Sequence, residues 1–211
     1  MEPLGDGGGV VVLQGGAPFV GNDDLDRRVF ADRGRVVMLP TADAFEDPRL
    51  LVDAAAAWAD RVGVEVQPEM VLTRRQAGDD AAAAVDAADA VFLAGDSSNH
   101  LRSVLKDTPL FAAIERVLAR GGVVAAAASS ASALCDPMAD RRGGAFALGL
   151  GLVRGLAVLT ETETWPPEQL IRARSLADTP LVELRTGSAL VRTGTGWERV
   201  GEVVVHGDLP T

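Results

Sequence analysis

The chain has 211 residues, 47% hydrophobic and 24% charged, with a formal charge of -10, a globular composition at a length that one doubly wound α/β domain can occupy. No apolar run reaches the roughly 18 uninterrupted residues of a membrane helix, no clustered Lys and Arg are available for phosphate contacts, and the absence of tyrosine leaves little surface for base stacking. Membrane-spanning and nucleic-acid partners are thereby excluded. Cys135 has no second cysteine to pair with, and one cysteine with two histidines cannot supply an ordinary zinc site, so no disulfide, metal or cofactor is expected.

The opening stretch, residues 1–9, is acidic and glycine-rich rather than basic and apolar, which points away from a secretory signal and towards the cytoplasm. Short β-branched runs then alternate with helical patterns, the signature of βαβ units around a parallel sheet. Strands are expected over 10–13, 36–39, 64–66, 90–93 and 123–127, apolar on both faces as strands covered by helices must be. Helices are expected over 50–61, 80–88 and 110–120. Asn22, Asp47 and Thr108 stand before acidic residues or proline as helix caps. After Gly143 the pattern becomes irregular, with short strands near 157–160, 181–184, 189–192 and 202–205 around a helix over 167–177. No linker divides the chain, so residues 1–211 read as one domain.

The chemistry concentrates where the strand 123–127 runs into Ala128-Ser129-Ser130-Ala131-Ser132 and then into a helical stretch with Leu134, Cys135 and Met138. That order places Ser130 at a strand-to-helix turn, as in a nucleophile elbow, with small Ala128 and Ser132 two positions away on either side. The same run also reads as small-residue packing between a strand and a helix. Cys135 reads as a small buried apolar residue.

Three earlier stretches, Val12-Leu13-Gln14-Gly15-Gly16, Val37-Met38-Leu39-Pro40-Thr41-Ala42 and Val91-Phe92-Leu93-Ala94-Gly95-Asp96, precede the turn, and Gly149-Leu150-Gly151-Leu152-Val153 follows it. Taken in order, these resemble the S51 serine peptidases, which include dipeptidase E and cyanophycinase. The resemblance implies a three-layer α/β/α, class I glutamine amidotransferase-like (flavodoxin-like) fold, a mainly parallel central sheet and antiparallel C-terminal strands. It also implies Ser130 as nucleophile, with Gly95, Asp96 and Ala131 as binding positions.

The residues that would activate the serine depart from that pattern. Val158-Leu159-Thr160-Glu161-Thr162-Glu163 puts Glu161 where the family's histidine follows a strand, and Arg185 or Thr186 stands where the acid would be. A hydroxyl needs a base to become nucleophilic, and a carboxylate would need its pKa raised by roughly 2 units to serve. His100, after Gly95-Asp96, could approach the site or be a solvated residue at a helix start; His206 reads as surface. The expectation is a silent or weak S51-like homologue with a ligand-binding or assembly role, taking a small molecule or short peptide and forming a homodimer. The alternative is an active peptidase or amidohydrolase using Ser130. A dinucleotide-binding domain, suggested by Gly15-Gly16, lacks the Gly-x-Gly-x-x-Gly spacing.

Overall fold

The computed structural model describes residues 8–30 and 32–210; most of the opening stretch read for location lies outside the described residues. Apolar runs and helical patterns alternate as expected. β1 (Val10–Gln14) leads to α1 (Asp23–Val29), β2 (Arg35–Leu39) to α2 (Pro48–Val62) and β3 (Glu65–Pro68) to α3 (Asp79–Asp86). β4 (Ala90–Leu93) leads to α4 (Ser98–Leu105) and α5 (Pro109–Ala119), and β5 (Val123–Ala127) leads to α6 (Ser129–Leu134). Asp47 and Thr108 cap α2 and α5 by accepting from Arg49 N and Phe111 N, each with proline next. Asn22 stands at the N-cap of α1 without a capping bond; three aspartates in the first turn favour that helix end instead.

The second part is more broken. β6 (Cys135–Asp136), β7 (Met138–Asp140), β8 (Ala145–Ala147) and β9 (Val153–Arg154) are short, and β10 (Ala157–Thr160) precedes α7 (Pro167–Leu176). β11 (Leu181–Leu184), β12 (Ala189–Thr193), β13 (Gly196–Val200) and β14 (Val203–His206) complete the chain. The helix expected to carry Leu134, Cys135 and Met138 ends at Leu134, because Pro137 cannot donate to a helix and disfavours helical backbone at Asp136.

The main sheet has the order β13-β12-β1-β5-β4-β2-β3; its five strands from β1 to β3 are parallel, and β12 and β13 are antiparallel. Alternate residues of β1 point to opposite layers. Val10 and Val12 meet α1 and α2 around Phe19, Trp58 and Phe92, whereas Val11 and Leu13 meet the side covered by α3, α4, α5 and α6. The result is the three-layer α/β/α arrangement that the sequence implies. A second sheet, β10-β11-β14, packs Leu159 and Leu181 against Ala173 of α7. Among the described residues no helix is long and apolar enough to cross a membrane.

Candidate active site

The carboxyl ends of the parallel strands converge through hydrogen bonds, at the edge where open α/β sheets place their ligands. Ala128 N, past β5, donates to Gln14 O at the end of β1 (3.2 Å), and Glu161 N, past β10, donates to Gly15 O (2.8 Å). Asp96 N, past β4, donates to Asp43 Oδ1 after β2 (2.7 Å). Two glycines permit this crowding. A Cβ on Gly15 would stand 2.0 Å from Arg185 O, and Gly95, at φ 120°, would drive one to 2.5 Å from Asp43 Oδ1.

The sharp turn between β5 and α6 exists, but its apex is Ala128 rather than Ser130. Ala128 has φ 55° and ψ -138°, a conformation that favours glycine, and the helix starts at the next residue. β5 runs on to the Ala128 N to Gln14 O bond before the chain reverses, which moves Ser130 into the first turn of α6. An elbow exposes the side chain of its strained residue; here that side chain is a methyl group. Ser130 is completely buried, and its hydroxyl donates to Gly95 O at 3.2 Å, tying α6 to the loop after β4. Ala131 is likewise buried in α6, with its N–H on Ala128 O.

Glu161 lies at this edge in a left-handed conformation (φ 52°). Its carboxylate accepts from Arg141 Nη1 at 2.5 Å, and Arg141 Nη2 also donates to Thr164 Oγ1 at 2.6 Å. Burial pushes the Glu161 carboxyl above its ordinary value; Arg141 opposes this and the Asp96 charge adds to it. Burial raises Asp43 too, against the Asp96 N–H it accepts.

The remaining candidates turn elsewhere. Arg185 donates to Glu202 at 2.7 Å and is half exposed, and Glu163 accepts from Thr186 N at 3.1 Å. His100 is the third residue of α4; its Nε2 lies 2.9 Å from Leu72 O and its ring meets Phe45 edge-on. His206 is bonded through Nε2 to Glu183 Oε1 at 2.7 Å. Cys135 is buried, and burial raises its thiol pKa far above the ordinary value, leaving it an inert core residue. Sequence reasoning missed Asp43, Ala128 and Arg141. The charged turn Asp140-Arg141-Arg142 was a signal for the last of these, whereas nothing in a run of alanines marks the first residue past a strand.

No protein-family model and no curated protein matches the chain. Solved structures do. A peptidase from an acI-B1 actinobacterium superposes with a TM-score of 0.82 at 22% identity, over 94% of this chain and 91% of that one. A candidate peptidase E protein from Listeria monocytogenes EGD-e superposes with a TM-score of 0.68 at 16% identity, over 94% of this chain and 98% of that one. These neighbours agree with the S51 resemblance read from the sequence, and the chain has the peptidase E-like, flavodoxin-like fold.

Proposed function

We propose that the protein is an S51 peptidase-like scaffold that is catalytically silent or very weak and uses the edge around Glu161 to bind a small amine-bearing ligand or short basic peptide. One observation carries this reading: the strained residue at the elbow is Ala128, which has no group to attack a carbonyl. Two others support it. The Ser130 hydroxyl is spent on Gly95 O inside the protein, and both histidines are bonded elsewhere, to Leu72 O and Glu183. Glu161 and Asp96 outnumber Arg141 at this edge, a balance that suits a cation. The free buried thiol of Cys135 fits a reducing, cytoplasmic setting.

A fluorophosphonate probe tests the chemistry. The folded protein is expected to stay unlabelled, and Ser130→Ala to lose about 1 kcal/mol of stability through the missing hydrogen bond without changing that result. Labelling of wild type that disappears in Ser130→Ala would establish an active serine enzyme instead. A thermal-shift series of amines, amino acids and short basic peptides tests the ligand class, with stabilisation expected to weaken in Glu161→Gln. No stabilisation by any of them refutes the binding role.

A further inference from the structure

A cation of the protein's own already sits beside Glu161. The Arg141 guanidinium spans two acceptors, donating through Nη1 to Glu161 Oε2 at 2.5 Å and through Nη2 to Thr164 Oγ1 at 2.6 Å. A planar fork suits such a pair of oxygens. The two partners come from different elements, since Arg141 lies in the turn between β7 and β8 whereas Glu161 follows β10.

That turn is secured without the guanidinium. Gly143 N and Gly144 N donate to Asp140 O at 3.3 and 2.9 Å, and Arg142 N donates to Asp140 Oδ1 at 3.0 Å. Gly144 packs against the first turn of α7, where a Cβ on it would stand 2.7 Å from Gln169 O. The Arg141 side chain can therefore rotate off Glu161 while the hairpin stays in place. Little opposes its leaving, because it is 42% exposed and an ion pair in contact with water is weak. Glu161 is held more firmly. Its side chain is 21% exposed, its N–H donates to Gly15 O at 2.8 Å, and a Cβ on Gly16 would stand 2.5 Å from its Cγ. Arg141 takes Oε2 of this carboxylate; Oε1 and Thr186 Oγ1 each lie 3.1 Å from that same Cβ position, so two further oxygens flank Gly16.

We propose that Arg141 is a built-in competitor, whose guanidinium occupies the cation position on Glu161 and is displaced when an amine-bearing ligand binds there. The inference rests on the amine-binding role proposed above and adds its regulation. The apparent affinity of the wild type is then lowered in proportion to the fraction of molecules in which Arg141 is withdrawn.

Calorimetric titration of the full chain with cadaverine tests this, at pH 8, above the carboxylate range and below that of the amine. Arg141→Ala is expected to bind about tenfold more tightly than wild type. Arg141→Lys separates occupation from plain charge repulsion. An ammonium keeps the charge but is a point donor that does not span both acceptors, so its affinity is expected to fall between the other two. Glu161→Gln added to Arg141→Ala is expected to abolish the gain. Equal or weaker binding by Arg141→Ala, an Arg141→Lys that matches wild type, or a gain that survives Glu161→Gln overturns the competitor and leaves the amine-binding role standing. Absence of binding by wild type and every variant refutes that role, and the competitor with it.

Discussion

Asp26 is 1% exposed although it is an aspartate, and both its oxygens are held, by Gln14 Nε2 at 2.6 Å and Trp58 Nε1 at 2.8 Å. Burial outweighs these bonds and pushes its pKa up to about 6. A pKa raised by folding contributes stability below the unfolded value, and that contribution is lost as the pH rises through the folded value. The protein is therefore expected to lose about 3 kcal/mol through this group between pH 4 and pH 7. Asp26→Asn should flatten that slope in urea denaturation and stabilise the protein at pH 7. The amide suits the site, because Gln14 Oε1 is buried without a donor and can accept from it once the Gln14 amide turns over. A steeper slope in the variant would contradict this account. The residue also matters to the candidate site, since Gln14 is the strand end that receives Ala128 N.

Among the elements, the strands with two buried faces were legible to the residue, whereas β13 and the end of β5, each set by a single contact, were not. β4 and β5 run over the residues read for them, 90–93 and 123–127, because an apolar run with no polar alternation fits only a covered strand. β13 was missed: Gly-Trp-Glu-Arg-Val is half exposed and takes its strand form from pairing with β12, a contact distant from its own residue pattern. The elbow failed for a related reason, since every residue from Ala125 to Ala128 is alanine and only the bond to Gln14 O fixes where the strand stops. α7 shows how such a contact stabilises an element. Arg174 donates twice to Glu183, at 2.7 and 2.8 Å, and His206 approaches the same carboxylate from β14. The Arg174 bonds and the His206 contact hold the Glu183 carboxyl below its ordinary value of 4.5. Its contribution is thus present above that pH and lost as the pH falls through the folded value. Glu183→Gln is expected to cost about 1–2 kcal/mol at pH 7, with the difference from wild type shrinking below pH 4.5 in thermal melts. An equal loss at all pH values would assign Glu183 a packing role alone.

At the scale of the whole molecule, the C-terminal strands return to the N-terminal half and complete its sheet. β12 pairs with β1 from Val11↔Arg192 to Gln14↔Ala189, so the first strand of the chain has the last third as its outer neighbour. Without β12, a fully buried valine-rich strand becomes an open edge, and Gly15 N loses its bond to Ser188 O beside the candidate site. A chain cut after residue 187 is expected to aggregate or to lack near-UV circular dichroism, because the missing segment supplies strands of both larger sheets and is not an appendage. The same connectivity predicts one unfolding transition for the full chain. Trp58 on α2, Trp165 before α7 and Trp197 on β13 report from three regions, so tryptophan fluorescence and far-UV circular dichroism should follow the same urea curve. Separate midpoints would mean that β10, β11 and β14 form a unit stable apart from the main sheet.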